Sequence, residues 1–278
     1  MQWFGRRESE NVEDRRGMGG GGLALGGLGT VAVVIISLVL GVNPLEVLQQ
    51  VNPVTTEEAQ SPERDKQAQF VKVVLADTED VWNKILPEQA DKAYVDPKLV
   101  LFSGATQSDC GNASAATGPF YCPLDSKVYI DLSFYDELQN RFQAPGDFAM
   151  AYVVAHEVGH HVQHLLGITE QMQRKRAELS EKEYNKLSVK LELQADFLAG
   201  VWAYHDQKTK NILEEGDIEE ALNAANAIGD DRLQKSAGRE VMPDAFTHGT
   251  SAQRMKWFKR GFETGDISQG NTFAESDL

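Results

Sequence analysis

A chain of 278 residues with 41% hydrophobic and 8% aromatic residues can build a sizeable core, which excludes a wholly disordered protein and favours one or two domains. The 27 basic and 42 acidic residues give a net charge of −15, and because such a surface repels phosphate backbones, no nucleic-acid partner is expected. The mean hydropathy of −0.38 excludes a protein with several membrane spans but allows one.

An apolar stretch near the N-terminus predicts a membrane anchor. No charged residue lies between Arg16 and Glu46, and residues 23–42 are long enough to cross a bilayer core. Four arginines precede this stretch: Arg6, Arg7, Arg15 and Arg16. By the positive-inside rule the N-terminus stays in the cytoplasm and the rest of the chain is exported. A cleaved signal peptide and a buried core helix are alternatives, disfavoured because the stretch lacks a cleavage signature and a polar face.

These patterns divide the chain into four regions. They are a cytosolic tail over residues 1–16, a transmembrane anchor over 17–45, a linker over 46–66 and a folded domain over 67–278. The two cysteines of the chain, Cys110 and Cys122, lie within the domain in a segment rich in Gly, Asn, Ser and Pro. In an exported chain they favour a disulfide that holds a loop, with two unrelated free thiols as the alternative.

Hydrophobic spacing in the domain predicts a mostly helical α+β fold with a small sheet. The first helix starts near residue 67 and ends at Pro87. Two short runs of β-branched and aromatic residues, 99–102 and 128–132, predict strands. Further helices are predicted over residues 146–166, 180–204 and 217–228, and after Thr250, where a capping box begins.

The most informative stretch is residues 156–160, which read His-Glu-Val-Gly-His. In a helix, side chains four residues apart lie on one face, so His156 and His160 can bind one metal ion. Glu157 lies beside that ion and can act on its water as a general base. Apolar residues flank the motif and predict a buried helix, in which two unpaired histidines would be unfavourable. A coincidental helix with two surface histidines is the alternative.

The third metal ligand must come from elsewhere in the chain. The long zincin motif would need Gly and His where this sequence has Gln163 and Leu166. His161 and His164 are expected at the surface or behind the ligands, because successive helical turns cannot bring three histidines onto one tetrahedral ion.

Two carboxylates on a later helix complete the predicted site. Glu192 and Asp196 lie four residues apart in an otherwise apolar stretch, where carboxylates need partners. Glu192 is predicted to be the third ligand of a single Zn²⁺ ion. Asp196 is predicted to accept the free ring N–H of a ligating histidine and so fix its tautomer. The alternative is a helix whose two carboxylates face water.

The segments HEVGHHVQ, ELQADFLAG and HGTSAQR, with the opening GRRESENVEDRRG before an apolar stretch, make the chain similar to the bacterial family of putative neutral zinc metallopeptidases. The resemblance covers essentially the whole chain. It implies a membrane-anchored, zincin-like metallopeptidase domain of the glutamate-ligand type, with His156, His160 and Glu192 as zinc ligands and Glu157 as base. Because the gap between His160 and Glu192 is longer than in thermolysin-like peptidases, an inserted helical hairpin is expected over residues 168–188.

The expected activity is hydrolysis of peptide bonds in a peptide or protein substrate. A second group besides zinc must stabilise the oxyanion, and His248 and Tyr152 are the candidates, each with local packing or hydrogen bonding as the alternative. The strand near Val128 is expected to offer its edge to the substrate. In a bacterium the predicted topology is that of a single-pass inner-membrane protein with a cytoplasmic N-terminus and a periplasmic or otherwise extracytoplasmic catalytic domain.

Two other functions fit the same residues. One is a zinc-containing scaffold or partner-binding protein with weak or no proteolysis, and the other is a zinc hydrolase that acts on esters. The sequence does not indicate an oligomeric state.

Overall fold

The structure is a computed structural model that describes residues 1–17, 60–236 and 240–275. The apolar stretch predicted to be the anchor, residues 23–42, lies outside the described residues. Among the helices of the described ranges, none is both long enough and apolar enough to span a membrane.

Helix α1 (Pro62–Ala90) begins within the stretch that the sequence predicts as linker. The Ser61 hydroxyl caps the helix by accepting a hydrogen bond from the Arg64 backbone N–H, and Pro62 occupies the first turn, where its missing N–H is not needed. The helix continues past Pro87 for three residues instead of ending there. A proline removes only the bond from its own nitrogen, and the packed helix tolerates that loss in its last turn.

A four-stranded sheet forms one layer of the domain. Its strands, in spatial order, are β1 (Val12–Asp14), β2 (Lys98–Phe102), β6 (Lys127–Asp131) and β5 (Phe120–Cys122). The pairs β1–β2 and β2–β6 are parallel, and β6–β5 is antiparallel. Strands β3 (Ala105–Ser108) and β4 (Gly111–Ser114) form a separate antiparallel hairpin.

Both faces of the sheet are covered, which explains why β2 is an unbroken apolar run. Leu99 and Leu101 belong to the main helical core. Val100 and Phe102 point to the opposite face and pack in a smaller cluster with Tyr129, Cys122 and Ala113. The predicted disulfide between Cys110 and Cys122 is present and joins the β3–β4 turn to the end of β5.

Residues 1–17 are part of the domain, which corrects the prediction of a separate tail over residues 1–16. Strand β1 pairs with β2 in the register Val12 opposite Leu99. On either side of it the Leu99 backbone N–H donates to the Asn11 carbonyl (2.8 Å) and the Arg15 N–H donates to the Leu101 carbonyl (2.7 Å). From the sequence alone, a charged N-terminal segment such as this one suggests a solvated tail, because the residues that it contacts in the fold lie far along the chain.

The rest of the domain is mostly helical, as predicted, so the α+β class is confirmed. Helix α2 (Phe134–Asp136) continues into a π-helical turn, Glu137–Arg141. The other helices are α3 (Asp147–Leu165), α4 (Ile168–Glu178), α5 (Glu181–Lys210), α6 (Asp217–Ala227), α7 (Asp230–Ser236) and α8 (Ser251–Thr264). Helix α3 packs against α1, α5 and α6, while α4 and the start of α5 form the expected hairpin.

Helices α5 and α8 approach each other closely. A Cβ atom at Gly261 of α8 would lie 2.0 Å from the Phe197 carbonyl oxygen of α5, so only glycine fits there. The capping box predicted at Thr250 is present, with the Thr250 hydroxyl accepting from the Gln253 N–H. This start of α8 lies against α5, where it brings Arg254 to Asp196.

Candidate metal centre

Helix α3 carries the His-Glu-Val-Gly-His motif in the buried core. His156 is 6% exposed and Glu157 is 7% exposed. A Cβ atom at Gly159 would lie 3.0 Å from the Ala195 carbonyl oxygen, so the glycine allows α5 to lie directly against α3. The two helices therefore bring Glu192 of α5 opposite the two imidazoles.

The three predicted ligands converge. The distance from His156 Nε2 to Glu192 Oε2 is 3.2 Å, and that from His160 Nε2 to Glu192 Oε1 is 3.5 Å. One ligand atom from each residue lies within 4.8 Å of the others. Two ligand atoms at about 2 Å from a tetrahedral ion are about 3.3 Å apart, so this spacing fits zinc. Two imidazoles and one carboxylate also form the donor set of a catalytic zinc site.

The other ring nitrogen of each histidine has its own acceptor. His156 Nδ1 lies 2.9 Å from Asp196 Oδ1, and His160 Nδ1 lies 2.8 Å from Gln163 Oε1. Both Nδ1–H groups can thus donate hydrogen bonds to Asp196 and Gln163, which leaves both Nε2 atoms facing Glu192. Sequence reasoning missed the role of Gln163, although a glutamine three residues after His160, in a helix predicted to be buried, is a usable signal.

Asp196 is held by two further buried groups. The Arg254 guanidinium donates to both carboxylate oxygens of Asp196, each at 2.8 Å. The Tyr152 hydroxyl donates to Asp196 Oδ1 at 2.5 Å. Tyr152 is therefore already committed as a donor, which argues against its predicted role at the oxyanion and makes it a positioning residue for Asp196. Arg254 was missed because its partner lies on another helix.

Charge around the ligands is balanced by their neighbours. Burial by itself would lower the pKa of His156, but the charge of Asp196 and hydrogen bonds to Asp196 and Glu192 raise this pKa to about 10. Burial would raise the pKa of Glu192, but the charge of His160 and hydrogen bonds from both histidines hold it well below its usual value. Burial likewise opposes ionisation of Asp196, and Arg254 and His156 lower its pKa to about 2. The cluster therefore favours positive charge between the imidazoles and Glu192.

Glu157 faces a cavity beside the ligands. Its carboxylate forms no hydrogen bond or ion pair with any residue in the described ranges. The cavity has a volume of about 530 Å³ and is lined by polar and apolar side chains. Its apolar wall includes Phe120, Tyr121, Phe134, Phe142, Leu191 and Ile228. The glutamate is thus left available to a water molecule or a substrate.

His248 also lines this cavity, with a side chain that is 49% exposed. The loop that carries it is fixed by Asp230, whose Oδ2 accepts from the backbone N–H groups of Thr247 (2.7 Å), His248 (2.6 Å) and Gly249 (3.1 Å). His248 Nδ1 lies 3.3 Å from Asp230 Oδ1. Asp230, another residue that sequence reasoning missed, thereby orients the His248 ring.

His161 and His164 lie on the side of α3 that faces β5. The Tyr121 hydroxyl lies 2.9 Å from His161 Nδ1 and 2.8 Å from His164 Nδ1. His161 is only 2% exposed, and its Nε2–H donates to the Val95 carbonyl at 2.6 Å. Burial lowers the pKa of His161 to about 4. These histidines therefore attach β5 to the motif helix, and His161 is a buried group.

The edge of the sheet nearest the cavity is β5 and not the strand near Val128. Strand β6, which contains Val128, lies between β2 and β5 and has both sides paired. Strand β5 pairs only with β6 within the described sheet, and its residues Phe120 and Tyr121 line the cavity. The expectation for Val128 is wrong because hydrophobic alternation does not distinguish a central strand from an edge strand.

Comparisons with known proteins agree on one family. The family model described as "Putative neutral zinc metallopeptidase" matches residues 1–273. The uncharacterized protein YpfJ of Escherichia coli strain K12 is 50% identical over 289 aligned positions, which cover 99% of this chain and 100% of that protein. The uncharacterized protein Rv2575 of Mycobacterium tuberculosis strain H37Rv is 40% identical, covering 87% of this chain and 86% of the relative. No solved structure matches, so the zincin-like fold stays a prediction.

Proposed function

The chain belongs to the putative neutral zinc metallopeptidase family, and we propose that it is a zinc-dependent endopeptidase that uses Glu157 as its general base. The observation that carries the proposal is the convergence of His156, His160 and Glu192 beside the Glu157 carboxylate, which has no hydrogen-bond or ion-pair partner among the described residues. A purely structural zinc site would have four protein ligands and would not need a free carboxylate at its side.

His156, His160 and Glu192 would hold the zinc ion, which when bound lowers the pKa of a water molecule towards 7 and polarises the scissile carbonyl. Glu157 accepts the proton of the attacking water and transfers it to the leaving amine nitrogen. His248, oriented by Asp230, donates from Nε2 to the oxyanion that develops on the substrate. Asp196, Gln163 and the groups behind them keep both imidazoles in place.

The cavity also supports a peptide as substrate. Strand β5 ends the sheet beside Glu157, so an extended peptide can pair with its free edge through backbone hydrogen bonds. The aromatic and aliphatic wall of the cavity suits apolar side chains on either side of the scissile bond.

Substitution of Glu157 by Gln tests the proposal. The wild-type chain loaded with zinc should cleave casein or a peptide library, lose this activity with a chelator and regain it with zinc. Glu157→Gln should bind zinc as the wild type does but cleave at least about 10²-fold more slowly, because it cannot accept a proton. The exposed Glu178→Gln serves as the matched control and should retain full activity.

Two results would count against the proposal. Undiminished cleavage by Glu157→Gln would refute the base. Zinc-loaded wild-type protein that cleaves no peptide would instead support a zinc-containing scaffold or a hydrolase of another substrate class.

A further inference from the structure

We propose that residues 1–17 and the domain formed by residues 60–275 lie on the same side of any membrane that the chain contacts. The inference is independent of the peptidase proposal, and it replaces the topology that the arginines of the sequence suggest.

The first argument is the pairing of β1. Neighbouring strands of a sheet are about 4.8 Å apart, whereas the hydrocarbon core of a bilayer is about 30 Å thick. Val12 pairs with Leu99, and two backbone hydrogen bonds flank this pairing, at Asn11 and at Arg15. A single crossing between residues 17 and 60 would put β1 and β2 on opposite sides, where the pairing cannot form. An exchange of segments between two copies would not help, because both copies would have the same topology.

The second argument concerns the charges that suggested a cytoplasmic N-terminus. Arg6 lies 2.5 Å from Asp77, which is 4% exposed in its side chain, and Arg7 lies 3.0 Å from Glu79, which is 6% exposed. Both carboxylates belong to α1. These arginines therefore neutralise buried acidic groups of the domain, so their presence is explained by the fold and no longer indicates an orientation.

The third argument is the position of the chain ends on either side of the undescribed residues. A Cβ atom at Gly17 would lie 2.2 Å from the Gln60 side-chain amide nitrogen. Arg16 lies 3.1 Å from Asp65 in the first turn of α1. The chain therefore leaves the described fold and returns to it at one place, so residues 17 and 60 lie on the same side of any membrane that the chain contacts.

Accessibility labelling tests the proposal in the full-length membrane-associated chain. Glu10→Cys reports on the N-terminal segment and Lys92→Cys on the domain, and both positions are exposed. Spheroplasts are treated with a membrane-impermeant maleimide before and after lysis. The labelling of denatured protein defines complete labelling, and the labelling of the wild type gives the background from the native cysteines. We expect both variants to label to the same extent before lysis, either fully or not at all. Labelling of one variant before lysis and of the other only after it would overturn the proposal.

A zero-length carbodiimide cross-link gives a second readout without a new cysteine. Glu8 lies 3.9 Å from Lys72 of α1, and Glu13 lies 2.8 Å from Lys127 of β6. Native membranes should yield cross-linked peptides that join the N-terminal segment to the domain, and Glu8→Gln should remove only the first of them. If labelling places the segments on opposite sides and neither cross-link forms, the pairing of β1 does not exist in the membrane.

Discussion

The two imidazoles of the candidate metal centre are hydrogen-bonded to different kinds of acceptor. His156 Nδ1 is hydrogen-bonded to the carboxylate of Asp196, which in turn binds Arg254 and Tyr152. His160 Nδ1 is hydrogen-bonded to the neutral amide of Gln163. Either acceptor fixes the tautomer, but only the carboxylate adds negative charge behind its ring. His156 is thus expected to be the stronger donor to zinc.

We expect Gln163→Leu to weaken zinc binding. The variant removes the acceptor of the His160 Nδ1–H, and the loss of such a partner typically lowers metal affinity by about 10- to 100-fold. Competition with a chromophoric chelator measures the change. The exposed Gln171→Leu is the matched control. An unaltered zinc affinity in Gln163→Leu would show that the amide does not orient the ring.

A buried carboxylate away from the metal centre predicts a pH dependence of stability. Burial and the neighbouring Asp77 raise the pKa of Asp206 to about 7, although Lys210 opposes them. Because the pKa in the folded state lies above that in the unfolded chain, the contribution of Asp206 is fully favourable below about pH 4 and is lost as the pH rises through 7. Asp206→Asn should therefore show a smaller decrease in the free energy of unfolding between pH 5 and 8.

Urea unfolding at several pH values checks this expectation, with the exposed Asp109→Asn as the control that should keep the wild-type slope. An identical pH dependence in Asp206→Asn and wild type would mean that Asp206 is ionised throughout this range in the folded protein.

The N-terminal segment is held to the domain by ion pairs with α1 as well as by the pairing of β1 with β2. Arg6→Ala should lower the free energy of unfolding by roughly 2 kcal/mol, because among the described residues it leaves Lys210 as the one cation paired with both Asp77 and Asp206, which are buried. Chemical denaturation measures this loss, and the exposed Arg174→Ala should be neutral. If Arg6→Ala were as stable as Arg174→Ala, the segment would not be anchored by this ion pair.

The elements that the sequence predicted well are those with a local signal. The motif helix α3, strands β2 and β6 and the capping box at Thr250 each follow from spacing within a few residues. Glu192 and Asp196 were also predicted, because carboxylates in an apolar stretch require partners. The candidate metal-binding residues are therefore the part of the site that is most visible in the sequence.

The elements that were missed depend on partners far along the chain. Strands β1 and β5 have three residues each, which is too short for a hydrophobic period, and only pairing with β2 and β6 defines them. Arg254 and Asp230 likewise act on groups of other segments. The same limitation affected the N-terminal arginines, which suggested an orientation in a membrane although their carboxylate partners lie about seventy residues away in α1.

For the whole molecule, the sheet separates two regions with different roles. Strand β1 and the N-terminal segment form one edge, and β5 forms the other edge beside the metal centre. The point where residues 17 and 60 meet is thus joined to the edge that does not line the cavity. Within the described residues, no other strand pairs with the outer edge of β5.

The central claim is that His156, His160 and Glu192 together hold one zinc ion, and zinc titration of the full-length chain with a competing chelator tests it most directly. We expect one zinc ion per wild-type chain, binding at least about 10-fold weaker in Glu192→Gln, and unchanged binding in the exposed control Glu183→Gln. Zinc binding in Glu192→Gln that is as tight as in the wild type would contradict the site described above.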